Sequence, residues 1–194
     1  MSGLLVIISS PSGGGKDSVI NALLKIFPGS ARLVTTTSRP LRPGNQEGVD
    51  YYFISREEFE EKIKSGEFLE HNFYAGNYYG TQKKHLEQLT REHPLVLTQI
   101  EVNGKHNLDI AGIKNLSIFL LPESLETLKK RIEKRGGLTE EIIEKRLAIA
   151  KKEINASEDY DYRLVNREGH LEDTIQEVAG LIASQLMAGV DKSA

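Results

Sequence analysis

Leu4-Leu5-Val6-Ile7-Ile8-Ser9-Ser10-Pro11-Ser12-Gly13-Gly14-Gly15-Lys16-Asp17-Ser18-Val19-Ile20-Asn21-Ala22-Leu23-Leu24 is the stretch that decides the fold of this chain. An apolar, β-branched run passes through a glycine-rich corner to a lysine, and then to apolar residues at helical spacing. Strand, loop, lysine and helix together make a phosphate cradle. Glycines let backbone N–H groups turn inward around an anion, the helix N-terminus adds partial positive charge, and the lysine reaches the terminal phosphates. Pro11, Ser12, Gly13, Gly14, Gly15, Lys16, Asp17 and Ser18 are therefore candidate phosphate-binding residues. Two positions depart from the usual G-x-x-x-x-G-K-[ST] pattern: Ser10 takes the first glycine's place, and Asp17 stands where a hydroxyl would meet Mg²⁺. Three successive glycines also suit a plain strand-to-helix turn.

Outward from this corner, apolar runs recur at 4–9, 31–36, 95–102, 116–121 and 162–166. Helical spacing is found at 16–26, 83–92, 124–134, 139–156 and 171–187. The alternation predicts an α/β fold with a parallel sheet covered by helices. From about Arg39 to Gln82 the texture changes to tyrosine-rich, with a short glutamate-rich helix expected at 56–64; this reads as an inserted antiparallel lobe. A second excursion carries Arg131, Arg135 and Arg146 about Gly136-Gly137, and residues 188–194 read as a flexible tail.

The chain has 194 residues, no cysteine, 39% hydrophobic content and a formal net charge of −3. Disulfides and thiol chemistry are excluded, and no general attraction to nucleic acid or anionic lipid is expected. No apolar stretch has the length of a membrane span, and no export signal is evident at the start, so a cytoplasmic enzyme is the simplest expectation. The five histidines lack metal-ligand spacing, and no G-x-S-x-G elbow supports a hydrolase.

Arg39 and Arg42 on a proline-stiffened loop, with the hydroxyls of Tyr51 and Tyr79, suit a second phosphate; a solvated turn beside packed tyrosines fits the same residues. Thr35, Glu70, Thr81 and Glu101 are candidates for a purine edge, because a carboxylate accepts the N1–H and N2–H₂ donors of guanine together. Each alone also suits a surface or capping role. The arginines around Gly136-Gly137 fit either a solvated helix face or a lid over a transferring phosphoryl group.

From Leu4 to Leu181 the chain resembles the guanylate kinase family. The resemblance rests on Pro11 through Lys16, Arg39-Pro40-Leu41-Arg42-Pro43-Gly44, Gly48-Val49-Asp50-Tyr51, Gly66-Glu67-Phe68-Leu69-Glu70, Gly76-Asn77-Tyr78-Tyr79-Gly80-Thr81, Arg131 through Gly136, and Tyr160-Asp161-Tyr162 with Val165-Asn166. It implies phosphoryl transfer from ATP to GMP with Mg²⁺. It also implies a phosphate-loop fold with a five-stranded parallel sheet core (1–34, 83–125 and 147–187), a GMP-binding lobe (35–82) and a helical lid (126–146). On this resemblance Lys16 and the loop amides hold ATP, and Asn166 lies by adenine. Arg39, Arg42, Tyr51 and Tyr79 hold the GMP phosphate, while Thr35, Glu70, Thr81 and Glu101 meet guanine. Lys16, Arg135 and Arg146 assist transfer.

The partners so implied are small nucleotides; monomer and homodimer are both left open. The family usually has Ser or Thr at 17 and Asp at 99, where this chain has Asp17 and Gln99. Two unit charges about 4 Å apart interact by roughly 4 kcal/mol at an effective dielectric near 20, so a carboxylate beside triphosphate calls for compensation. Residues 99 and 101 are expected to share one face of a strand that runs beside the phosphate-loop strand, so the metal-side carboxylate is expected to have moved from 99 to 17, with Asp17 binding Mg²⁺ directly or through water. The alternative is a guanylate-kinase-like module that binds GMP and catalyses poorly.

Overall fold

The structure, a computed structural model, describes residues 3–74, 76–134 and 139–191. Among them the strands are β1 (Leu4–Ser9), β2 (Ala31–Arg32), β3 (Thr36–Thr37), β4 (Tyr52–Phe53), β5 (Phe68–Tyr74), β6 (Asn77–Gln82), β7 (Leu95–Gln99), β8 (Leu116–Pro122) and β9 (Tyr162–Asn166). The helices are α1 (Lys16–Ile26), α2 (Arg56–Lys64), α3 (Lys83–Glu92), α4 (Val102–Ile110), α5 (Leu125–Lys134), α6 (Glu140–Ala156) and α7 (Leu171–Asp191). A five-stranded parallel sheet runs β2-β7-β1-β8-β9, and a four-stranded mixed sheet runs β4-β3-β6-β5. None of the described helices is long and apolar enough to cross a membrane.

The chain forms two compact units. One joins Val6–Pro28 to Leu116–Ala194. Here β1 pairs with β8, Val6 opposite Leu116 through Ser9 opposite Phe119, and β8 pairs with β9. Val6, Ile7 and Ile8 are wholly buried, as are Ile118, Phe119 and Leu120, because helices cover both faces of a parallel sheet. Leu128 and Ile132 of α5 pack with Ile143 and Ala150 of α6.

The other unit joins Met1–Leu5 to Gly29–Asn115. Its centre is the antiparallel β5–β6 pair, where Glu70 stands opposite Thr81 and Asn72 opposite Tyr79. Phe59 of α2 stacks between Phe68 and Tyr78, ring centroids 4.3 and 5.2 Å away. Ser55 caps α2 by accepting the Glu58 amide hydrogen at 3.0 Å.

Four expectations change. The inserted lobe is not wholly antiparallel, because β3 and β4 pair in parallel, with Thr36 opposite Tyr52. The run 31–36 is not one strand: after Arg32 the chain leaves the parallel sheet, and Thr36–Thr37 joins β4 and β6 instead. The run 95–102 stops at Gln99, and Glu101 is the N-cap of α4, so residues 99 and 101 do not share a strand face. Finally, α7 continues four residues past 187 to Asp191.

Candidate active site

In the first unit the chain leaves β1 at Ser9, turns through a Gly14 N–H to Pro11 carbonyl bond of 2.9 Å, and enters α1 at Lys16. Gly15 caps the helix with φ 90° and ψ 8° and offers no side-chain acceptor. A helix N-terminus of this kind favours an anion, because its dipole and first-turn N–H groups attract negative charge. Lys16 Nζ donates to the Ser10 carbonyl at 3.4 Å. Asp17 and Ser18 are exposed on the first turn.

The loop is braced from β9. Asn166, 4% exposed, donates from Nδ2 to the Gly14 carbonyl at 2.9 Å, and its Oδ1 accepts from Thr174 Oγ1 at 3.2 Å. Both ends of this amide are therefore engaged within the protein. Tyr160 donates to Ser9 Oγ at 2.8 Å, and Asp161 Oδ2 accepts from the Ser117 amide and hydroxyl at 2.8 and 2.7 Å. Arg131 pairs with Glu168 at 2.7 Å and donates to the Asn166 carbonyl at 3.1 Å. Arg146 is half-buried on α6, with no hydrogen-bond or ion-pair partner among the described residues. Arg135 lies outside the described residues.

Glu153, on α6 of the same unit, is a residue that sequence reasoning missed. Burial raises its carboxyl to about 7, the charge of Lys16 pulls it down, and its buried Oε2 has no hydrogen-bond partner among the described residues. Nothing in Lys151-Lys152-Glu153 distinguishes it from an ordinary charged face.

In the second unit, Arg39 is 7% exposed and lies 5.4 Å from the ring centroids of both Tyr51 and Phe53. It donates to the Pro40 carbonyl at 3.1 Å and to Asn45 Oδ1 at 2.9 Å. Asn45 is thus a second residue that sequence reasoning missed. Tyr51 and Tyr79 meet edge to face at 5.8 Å. The Tyr79 phenol is raised chiefly by burial, lowered by Arg39, raised by Glu101 and lowered by Arg42, so all three charges act on this hydroxyl.

Tyr79 and Thr81 alternate on one face of β6, about 7 Å apart along the strand. Glu70 is 6% exposed, accepts from Thr81 Oγ1 at 2.6 Å, and is raised by burial to about 7. Thr35 is buried too, and its carbonyl accepts from the Tyr52 amide at 2.9 Å.

Among the described residues no three acidic, histidine or cysteine side chains are grouped to hold a metal. Mg²⁺ fits what is present, because Mg²⁺ takes oxygen donors and usually keeps water and substrate phosphates in its shell. Asp17, exposed on the first turn of α1, supplies such an oxygen donor.

The parallel sheet, the glycine corner and the lysine opening α1 define an α/β protein of the phosphate-loop class. The guanylate kinase family model matches residues 2–185, and the chain belongs to that family. It is 40% identical over 183 residues to the guanylate kinase of Rickettsia bellii, covering 94% of this chain and 95% of the relative. It is 43% identical over 166 residues to that of Nostoc sp., covering 86% and 83%. The crystal structure of guanylate kinase from Anaplasma phagocytophilum superposes with a TM-score of 0.77 at 32% identity, covering 96% of this chain and 87% of that one. The impaired-module alternative finds no support among these relatives.

Proposed function

We propose that the chain transfers the γ-phosphoryl group of ATP to GMP, giving ADP and GDP, as an enzyme of purine nucleotide metabolism in the cytoplasm. The observation that carries this reading is the face of the β5–β6 pair. A buried carboxyl, Glu70, bonded to Thr81, suits the donor edge of guanine, while Tyr79 beside Arg39 and Arg42 suits a phosphate. Thr35 and Glu101 complete the base pocket, and Tyr51 adds a hydroxyl at the phosphate end.

ATP is held by residues 11–18. Lys16 and the first-turn amides of α1 neutralise its phosphates, and Asn166 acts by shaping the loop around Gly14. A GMP phosphate oxygen attacks the γ-phosphorus in line. That bond forms as the bond to the bridging β–γ oxygen breaks, and ADP leaves with the electron pair. Lys16, Arg146 and Arg135 offset the spreading negative charge. When bound, Mg²⁺ would neutralise phosphate charge, and Asp17 would hold it directly or through water. Alignment and charge neutralisation suffice without a covalent intermediate.

A coupled assay of ADP release, with ATP and Mg²⁺ against GMP, AMP, UMP and dGMP, tests the reading. GMP is expected to be the preferred acceptor. Equal turnover of AMP or UMP would overturn the base assignment, and GMP binding without ADP release would overturn the kinase assignment.

A further inference from the structure

Gly104 is the third residue of α4, a helix that begins after its cap at Glu101. Its φ is not positive, so any L-residue fits the backbone there. Glycine is the poorest helix former apart from proline, so its presence in a first turn calls for a reason other than conformation. That reason is space. A Cβ at this position would stand 2.9 Å from Glu70 Oε2 and 3.3 Å from Glu70 Cδ, and closer still to the Cγ2 methyl of Ile100. Approaches under 3.0 Å are essentially never made by real Cβ atoms. Glu70 has little freedom to yield, because Thr81 holds its other oxygen at 2.6 Å and the group is buried.

We propose that Gly104 is a positioning residue for base selection: the bare first turn of α4 leaves room for the Glu70 carboxylate to stand square to the guanine edge. This rests on the reading that Glu70 meets the base. A methyl at 104 turns Oε2 away, so the N1–H and N2–H₂ donors lose their paired acceptor while the phosphate end of the pocket is untouched. Gly104 thereby acts on recognition of the 2-amino group through Glu70 without touching nucleotide.

The test is steady-state kinetics of the full chain with GMP and with IMP, which lacks the 2-amino donor. Gly104→Ala is expected to raise KM for GMP about tenfold, the weight of one charge-assisted hydrogen bond. KM for IMP is expected to rise less and KM for ATP to stay within about twofold, so the GMP-over-IMP preference falls. Two further variants separate the causes. In Glu70→Asp/Gly104→Ala the shorter acid makes room for the methyl, so the pair is expected to be no worse than Glu70→Asp alone. Ile100→Leu/Gly104→Ala removes the Cγ2 branch and keeps the protein testable if the single variant folds poorly; the loss for GMP is expected to persist. The proposal is overturned if Gly104→Ala weakens GMP and IMP equally, if its cost appears in full on the Glu70→Asp background, or if Ile100→Leu restores wild-type KM. Should Glu70→Gln leave the GMP-over-IMP preference unchanged, the reading of Glu70 itself fails, a result distinct from failure at Gly104 alone.

Discussion

Burial raises the Glu70 carboxyl to about 7 from an ordinary 4.5, so near neutral pH the group is divided between acid and carboxylate. Guanine donors need the carboxylate, and KM for GMP is therefore expected to rise as pH falls below about 7, with KM for ATP following a different profile. Stability moves the other way. Between 4.5 and about 7 the folded chain keeps a proton at Glu70 that the unfolded chain releases, so this group's contribution to stability falls as pH rises through that window. Glu70→Gln, which stays neutral, is expected to raise Tm at pH 8 relative to wild type while weakening GMP binding; thermal melts paired with calorimetric titration check both. If Tm at pH 8 falls instead, the buried carboxylate is better accommodated than its surroundings indicate. At this scale the sequence named Glu70, Thr81, Arg39 and Tyr79 as chemistry but not their supports. Gly104, Asn45 and Glu153 bear no local signature, because their significance comes from what the fold brings beside them.

At the scale of elements, α1 depends on its glycine cap and on β9. An alanine at Gly15 would carry a side chain at φ 90° and place its Cβ 2.7 Å from Asn166 Nδ2. Gly15→Ala is expected to cost about 1–2 kcal/mol in denaturant unfolding, from the left-handed backbone alone, and to weaken ATP binding. Asn166→Ala removes the brace on Gly14; a rise in KM for ATP with KM for GMP little changed is the expected kinetic result. Equal effects on both substrates would count against a local role.

Helices α1, α2 and α3 were legible to the residue because apolar spacing and turn residues agree. By contrast, α4 was not legible. Its buried face carries Val102, Gly104, Lys105 and Leu108, and a glycine and a lysine at two of four inward positions erase the apolar period. The Thr35-Thr36-Thr37 segment misled for another reason: β-branched residues suit either sheet, and the choice between sheets is made by distant partners.

On the proposed function, the whole molecule divides recognition between its two units. Residues proposed for ATP phosphates belong to the one with β1 and β8, and those proposed for GMP belong to the one with β5 and β6. Lys16→Ala is accordingly expected to lower kcat far more than it changes KM for GMP, whereas Arg39→Ala or Tyr79→Phe is expected to raise KM for GMP and leave KM for ATP near its original value. A matrix of both substrates against the three variants checks the division, and a uniform loss across it would argue for global damage. The α/β class and the phosphate corner were readable from one strand–loop–helix segment. The partition into two units was not, because Leu5 and Val6 fall on opposite sides of it within a single strand.

The hydrogen bonds from Asn166 to Gly14 and from Tyr160 to Ser9 span 152 and 151 positions of sequence. Synthesis proceeds from the N-terminus, so the phosphate corner emerges from the ribosome long before the residues that brace it. A nascent chain stopped short of Tyr160 should carry every glycine of the corner and yet fail to retain an immobilised ATP analogue. On the proposed ATP role, competence for nucleotide is expected to arrive late in translation, with β9.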